Sequence, residues 1–410
     1  MPIFLQKMNI HFFKILLFFT IIVVQVLLGS CTTDAKIEDD LIVVNLENES
    51  QVSVFDYFEE VRVISLCADN DNVITQIGQL EFFDQKIYVF DQSQQTLFCF
   101  DLDGNLIMKI SSQGRGPGEY AYATNFTIDP YNRYILFLSP SFSQITAFNL
   151  EGEFETRMEI EEIMGYNYMT LINDSVLMFT SINQYQTLFY CLNSQRIFHK
   201  DFELPHSDLH HLAPSSGHFY RFDDKVFVLP VMDNVIKDVT DIESEDHLIL
   251  SFGKFNNSPR QWSEFMNESD KLPLYENLRM HQIVGNGKML NSYILRVAEV
   301  DRFVIVLIVC DDTVKHVIID KYEDDIKVFR HFDCGITINP LYAISDNKMI
   351  AFETRNYQRK RAKEFYQNLF PYYDADFYSK AILTEKCRQI IANHDPMTDN
   401  PFLVVYKFKE

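Results

Sequence analysis

The chain alternates short apolar runs with polar turns, and the pattern is clearest between Leu80 and Tyr120. Runs rich in aliphatic and aromatic residues occupy positions 87–90 and 96–102, and Asp103-Gly104 follows the second run. An Asp-Gly pair between apolar runs is a strong hairpin signal, because the tight turn needs residues that tolerate positive φ. The stretch therefore predicts a small antiparallel sheet of the kind that forms one blade of a β-propeller.

The same pattern recurs along the chain. Residues 86–90 match residues 134–138 at an offset of 48 positions, and the hairpin at 100–104 matches 148–152 at the same offset. Further copies of the strand begin at four later positions: Val176, Asp223, Asp301 and Asp346. Such repeats are typical of propellers, in which neighbouring blades cover each other's faces. We therefore predict an all-β fold over residues 41–410: a six-bladed β-propeller of four-stranded antiparallel blades, with a helical insertion near the C-terminus.

The ring must also close. The last apolar run lies at residues 401–408, and the first runs lie at 41–46 and 61–66. We expect the N- and C-terminal strands to share one blade and so to fasten the circle, which leaves only short, protected sheet edges.

Two insertions interrupt the repeats. Residues 258–274 are polar, contain Trp262, and are expected to form a helical excursion. In the second insertion, residues 355–393, an amphipathic helix is predicted from apolar residues at helical spacing: Leu383, Cys387, Ile390 and Ile391. The second insertion also holds a basic cluster, interpreted as a solvated helix face or a contact for an anionic partner: Arg355, Arg359, Lys360, Arg361 and Lys363.

The N-terminus has the pattern of an export signal. Lys7 and Lys14 precede an apolar run at residues 15–28, and the run ends at Gly29-Ser30-Cys31. This ending resembles a bacterial lipobox, which implies cleavage before Cys31 and a lipid on its thiol. A membrane-spanning helix is the alternative, although the run is short for one. We predict a signal peptide at 1–30, a lipidated tether at 31–40, a membrane partner through Cys31, and an outer-membrane location facing the periplasm or the surface.

The charge and the cysteines of the chain limit which ligands and cross-links are expected. The chain has 36 basic and 58 acidic residues and a formal net charge of −22, which disfavours nucleic acid as a ligand. Six cysteines follow Cys31, none in a CxxC pair, and both free thiols and disulfides are open for them: Cys67, Cys99, Cys191, Cys310, Cys334 and Cys387.

The loop from Gly114 to Tyr120 carries the most distinctive local sequence, with three glycines and a proline. One interpretation is a rigid connection between blades. The other places Arg115, Glu119 and Tyr120 as ligand-binding residues at the mouth of the central channel, where Arg115 could hold a carboxylate or phosphate.

Other chemistry finds little support. The sequence has no serine-hydrolase elbow and no zinc-protease motif, so no catalytic residue and no metal ligand is predicted. Histidines at 206, 210, 211 and 218 are interpreted as loop residues. No cofactor is evident, and a divalent cation such as calcium in the channel is the alternative.

The lipobox, the acidic tether, the repeated strand and hairpin, the loop at 114–120 and the closing strand at 400–407 together resemble a family of six-bladed β-propeller lipoproteins of Bacteroidota. That family is related in form to NHL and TolB-like propellers, and its biochemical role is largely undefined. The resemblance covers residues 41–410. We expect a lipid-anchored, non-catalytic module that binds a glycan, peptide or protein. A metal-dependent lactonase or lyase and a structural subunit of an envelope complex are the alternatives.

Overall fold

The computed structural model contains six sheets, each built on four antiparallel blade strands, and one of them is extended by two further strands. The structure describes residues 36–38, 41–67, 71–75, 77–180, 187–200, 219–229, 234–241, 245–261, 264, 290–311, 313–333, 338, 342–345, 347–352, 384–394 and 399–410. The fold is the predicted six-bladed β-propeller.

The strands described are, in chain order, β1 Lys36–Glu38, β2 Leu41–Val43, β3 Phe58–Ser65, β4 Ile77–Phe83, β5 Lys86–Asp91, β6 Thr96–Phe100, β7 Leu106–Ile110, β8 Asn125–Asp129, β9 Tyr134–Ser139, β10 Gln144–Asn149, β11 Phe154–Glu159, β12 Tyr168–Asn173 and β13 Val176–Thr180. They continue with β14 Thr187–Cys191, β15 Arg196–Lys200, β16 Phe219–Phe222, β17 Lys225–Val228, β18 Val235–Asp238, β19 Glu245–Ser251, β20 Ser292–Glu299, β21 Phe303–Cys310, β22 Thr313–Asp320, β23 Asp325–Phe329, β24 Tyr342–Ser345, β25 Lys348–Phe352 and β26 Phe402–Phe408.

The first blade is β4–β7, the second β8–β11, the third β12–β15, the fourth β16–β19 and the fifth β20–β23, while the sixth combines β24, β25, β26 and β3. The repeated strand that the sequence revealed is the second strand of every blade: β5, β9, β13, β17, β21 and β25. These strands are continuous apolar runs because neighbouring blades cover both of their faces. All eight residues of β21 are buried. Six apolar clusters lie between successive blades, the last of them between the sixth and the first.

Tight turns join the first and second strands of the first and fourth blades. Asp84 and Gln85 have φ of 51° and 56°, and Asp223 and Asp224 have φ of 49° and 57°. Two successive positive φ angles match the twist of a two-residue hairpin, and aspartate tolerates this conformation better than most residues. The recurring Asp-x-Lys sequence is therefore turn chemistry.

The prediction that chain ends share a blade is confirmed for one of the two N-terminal runs. Strand β26 pairs antiparallel with β3 across the sixth blade, with Val404 opposite Val63. The earlier run, at residues 41–46, does not join this blade. Its strand β2 adds to the outer edge of the fourth blade, parallel to β19, and β1 pairs with β2. Part of the predicted tether, Lys36–Glu38, is thus a strand.

The chain then crosses from the fourth blade to the sixth along the fifth. Ser50 N donates to Val328 O at 2.7 Å, and the buried Lys315 Nζ lies 2.9 Å from Glu49 Oε1 and 2.8 Å from Leu46 O. Helix α1, Val54–Tyr57, follows and leads directly into β3; Ser53 accepts from Phe55 N as its cap. This N-terminal segment fastens three blades together.

Helix α2, Glu385–Asn393, confirms the predicted amphipathic helix, and Thr384 caps it. Cys387 is buried, its Sγ accepts from Val63 N at 3.4 Å, and Ile390 and Ile391 pack against the core of the fifth and sixth blades. The basic cluster at 355–363 lies outside the described residues. Of the excursion at 258–274, residues 259–261 and 264 are helical, and Trp262 lies outside the described residues.

Three short 3-10 helices are described, at Pro140–Phe142, Glu161–Ile163 and Gly253–Phe255. Among the residues that the structure places, no helix is long and apolar enough to cross a membrane. The thiols described are free, namely Cys67, Cys99, Cys191, Cys310 and Cys387, while Cys334 lies outside the described residues.

Candidate ligand site in the central channel

The glycine-rich loop joins the outermost strand of the first blade to the innermost strand of the second. Its backbone closes on itself, since Gly114 N donates to Tyr120 O at 2.9 Å and Gly116 N donates to Glu119 Oε2 at 2.7 Å. Arg157, on outermost strand β11, donates to Gly116 O at 2.7 Å and also to Glu119 O. These contacts hold the loop against the outer part of the second blade.

Tyr120 belongs to the core between the first two blades. Its ring stacks on Phe137 at a centroid distance of 4.5 Å, and its hydroxyl donates to Gln95 O. The side chain is fully buried. The expectation of a ligand contact at the channel mouth is therefore corrected for Tyr120, because apolar packing and an internal hydrogen bond already occupy its ring and hydroxyl.

The other two residues of the loop differ in exposure. Glu119 is half-buried and turned inward onto Gly116 N, so its carboxylate stabilises the loop's own backbone. Arg115 is exposed, with its guanidinium carbon 5.1 Å from the ring centroid of Phe142 on the second blade. The contacts favour the interpretation of the loop as a rigid connection, and ligand binding by Arg115 stays a prediction.

The central channel is bordered by the first strand of each blade, namely β4, β8, β12, β16, β20 and β24. Amide side chains link the first three of them. Gln79 donates to Phe126 O at 2.7 Å and accepts from Phe126 N at 3.0 Å, and Asn125 accepts from Met169 N at 3.0 Å. Because each amide satisfies backbone groups of the next blade, this half of the channel wall is fixed in position.

One carboxyl and two guanidinium groups on the innermost strands of three blades interact electrostatically; we call Glu81, Arg221 and Arg296 the channel trio. They lie on the innermost strands of the first, fourth and fifth blades. The carboxyl of Glu81 interacts electrostatically with both guanidinium groups. The first and fourth blades stand opposite each other in a ring of six, so this interaction requires both side chains to project into the channel.

The contacts of the arginines agree with this placement. Arg221 donates to Leu171 O on the third blade, and Arg296 donates to Tyr342 O on the sixth at 3.3 Å. The guanidinium carbon of Arg296 lies 5.0 Å from the ring centroid of Tyr342. Each arginine thus reaches from its own blade to the neighbouring one at the inner rim.

The channel trio is desolvated and yet accessible. Burial raises the pKa of Glu81, against the opposing effects of a hydrogen bond from Gln79 and of the two arginines. Burial likewise lowers the pKa of the Arg221 guanidinium. Nevertheless Arg221 is exposed by surface area and Glu81 is half-buried. Side chains surrounded by protein but still open to solvent are those that line a channel.

Two tyrosines from non-adjacent blades lie close together. Tyr293 on the fifth blade and Tyr168 on the third blade belong to one buried cluster and interact electrostatically. Burial raises the pKa of Tyr168 to about 12. Tyr293 is buried, and its hydroxyl has no hydrogen-bond partner among the residues that the structure describes. A buried hydroxyl without a partner is costly and therefore marks a place where a ligand or water can bind.

Metal chemistry is not supported by these residues. Within the described ranges, no group of three or more His, Cys, Asp or Glu side chains could hold a metal ion. Calcium takes roughly six to eight oxygen ligands. The channel trio instead sets one carboxyl beside two guanidinium groups, so it does not fit a calcium ion. The histidines at 206–218 lie outside the described residues.

Sequence reasoning missed the channel trio. Its members are 140 and 75 residues apart in the chain, between positions 81, 221 and 296, and no local motif joins them. A signal was nonetheless present, because each is a charged residue inside the apolar strand that opens a repeat. Alignment of the first strands of the repeats, rather than the second, would have revealed them.

The fold is that of a six-bladed β-propeller with charged side chains on its innermost strands. A family profile described as a domain of unknown function, DUF4934, matches residues 40–407, and the chain belongs to that family. The resemblance to six-bladed propellers of Bacteroidota is thereby confirmed. A search of curated proteins finds no match.

Solved structures agree with the fold. A protein from Bacteroides fragilis NCTC 9343, described as exported, is similar over 90% of this chain and 100% of its own, at 16% identity and a TM-score of 0.68. A member of the DUF4221 family from Bacteroides vulgatus is similar over 86% of this chain and 97% of its own, at 10% identity and a TM-score of 0.51. Virginiamycin B lyase from Staphylococcus aureus matches over 71% and 81%, at 12% identity and a TM-score of only 0.38, which carries no argument about activity.

Proposed function

We propose that this protein is a lipid-anchored, non-catalytic recognition module of the cell envelope that binds a glycan, peptide or protein in its central channel. The observation that carries the proposal is the channel trio: charged groups from three blades converge in a desolvated but accessible space. A rigid scaffold that presents a few convergent polar groups is the usual form of a binding site.

Support for the envelope location comes from the N-terminus. The apolar run and lipobox-like ending at Cys31 indicate export and lipidation, and a similar structure belongs to a protein described as exported. Strand β1 begins five positions after Cys31, so a lipid there would hold the rim of the fourth blade close to the outer membrane.

The anchor is tested by Cys31→Ala. We expect this variant to leave the membrane fraction and to remain folded, because Cys31 precedes the first strand. Cys67→Ala is the matched control, since Cys67 is an exposed free thiol within the propeller and its removal leaves the lipobox intact. Fractionation and immunoblotting measure the result. Membrane retention of Cys31→Ala would refute lipid anchoring.

Channel binding is tested with glycan and peptide libraries and the full-length protein in detergent. We expect ligands of the wild type to bind Arg221→Gln at least about tenfold more weakly, because a charge-assisted hydrogen bond is worth roughly 1.5–3 kcal/mol. Lys327→Gln is the control, since Lys327 forms an exposed ion pair with Asp325 on β23, the outermost strand of the fifth blade. Ligands that bind both variants equally well would place recognition outside the channel.

The two alternatives receive no comparable support. The channel trio lacks the oxygen-rich donor set of a calcium-dependent lactonase. A scaffold role through the second insertion would need an open apolar face, and in the part of the insertion that the structure describes, α2, the apolar face is packed on the propeller.

A further inference from the structure

We propose that the ligand of the channel is an acidic saccharide, whose carboxylate is bound by Arg221 and Arg296 and whose hydroxyls face the tyrosine-lined wall. This inference rests on the proposed channel binding and adds the chemical class of the ligand.

The carboxylate follows from the charges of the channel trio. Guanidinium groups bind carboxylates through paired, charge-assisted hydrogen bonds. One guanidinium comes from the fourth blade and one from the fifth, and both act electrostatically on the carboxyl of Glu81. A carboxylate is the ligand group that we infer for this pair of cations.

Other acidic groups act on Arg221 as well, namely Asp129 and Asp224. Asp129 already accepts hydrogen bonds from Tyr131 N and Asn132 N, both at 2.9 Å, so its carboxylate closes a turn. Asp224 stands in the turn at the end of β16. Both therefore lie at the turn end of the channel.

The saccharide follows from the rest of the lining. The buried hydroxyl of Tyr293 has no partner among the described residues. The ring of Tyr342 lies beside Arg296. Hydroxyl groups and aromatic faces beside cations suit a sugar that carries both hydroxyls and an acid.

A peptide strand is disfavoured because the inner edges of the blades are already occupied. A bound peptide would pair with free backbone groups of an exposed strand edge. On the innermost strands, Phe126 O, Leu171 O and Tyr342 O instead accept from Gln79, Arg221 and Arg296. Side chains thus take up the carbonyls that strand addition would need.

The test uses trigalacturonate and its methyl ester, in which methyl groups replace the negative charges of the carboxylates. Isothermal titration with the full-length protein in detergent should show binding of the acid and at least about tenfold weaker binding of the ester, the loss expected when a charge-assisted pair is removed. Arg221→Gln should lose the preference for the acid, and Lys327→Gln, on outermost strand β23, should keep it. The comparison of acid with ester uses the wild type, so it stands even if Arg221→Gln folds poorly.

Three results would overturn the inference. Equal binding of acid and ester that still depends on Arg221 would retain channel binding and refute the carboxylate. Binding of triglycine with a free carboxylate, but not of its amide or of trigalacturonate, would make the ligand a peptide. Binding of none of these probes would refute the acidic saccharide, while the library experiment would still decide on channel binding itself.

Discussion

The glycine-rich loop at 114–120 and the channel trio of Glu81, Arg221 and Arg296 are built in opposite ways. The loop is contiguous in sequence, and its polar groups bond to each other or to the neighbouring strand β11. The channel trio is dispersed over three blades, and burial disfavours the charge of two members. The contiguous loop satisfies its own hydrogen bonds and therefore stabilises the scaffold. The dispersed charged groups are buried at a cost in free energy, and such groups are typical of ligand sites.

The largest expected change in the free energy of unfolding comes from a substitution in the glycine-rich loop. Tyr120→Ala should lower the free energy of unfolding by about 3–5 kcal/mol, because it removes a fully buried ring stacked on Phe137. Denaturant unfolding measures the change. Tyr122→Ala, two positions along, should stay within about 0.5 kcal/mol of the wild type because Tyr122 is 44% exposed. If both substitutions were equally mild, the loop would not be part of the core.

Glu81→Gln is expected to raise the free energy of unfolding at neutral pH, by less than Tyr120→Ala lowers it. Burial raises the pKa of Glu81 above its ordinary 4.5, so the folded state binds a proton more readily than the unfolded state. The charged form therefore costs stability at neutral pH, and the cost disappears as pH falls below 4.5. Glu81→Gln should be more stable than the wild type at pH 7, and the difference should shrink towards pH 4.

Unfolding curves across this pH range check the sign. Glu119→Gln is the control, because the Glu119 carboxylate accepts a hydrogen bond from Gly116 N within the loop. Its replacement should not produce the same rise in stability at pH 7. Loss of stability in Glu81→Gln at pH 7 would mean that the carboxylate is a structural ion pair rather than a group held for a ligand.

The sequence was sufficient for most of the scaffold. Hairpin turns and second strands carry local signals, so the strands Lys86–Asp91 and Tyr134–Ser139 and the closing strand Phe402–Phe408 were predictable. The pairing of Leu41–Val43 with the fourth blade was not predictable, because the sequence of a single apolar strand does not specify which sheet edge it joins.

The candidate site was the less predictable part. Arg115 and Tyr120 stand in a conspicuous loop, yet burial of Tyr120 depends on Phe137 in the next blade. Glu81 and Arg221 look like ordinary charged residues until the ring closes and sets the first blade opposite the fourth. Only closure of the whole chain creates that proximity, and therefore no local pattern encodes it.

The most direct test is a double-mutant cycle on Glu81 and Arg221. The central claim is that these side chains meet across the channel, so the effects of Glu81→Gln and Arg221→Gln on unfolding free energy should be non-additive by about 0.5 kcal/mol or more. The parallel cycle of Glu81→Gln with Arg115→Gln should be additive, because Arg115 lies on the loop. Additivity of the Glu81 and Arg221 substitutions would contradict the claim that the channel trio exists.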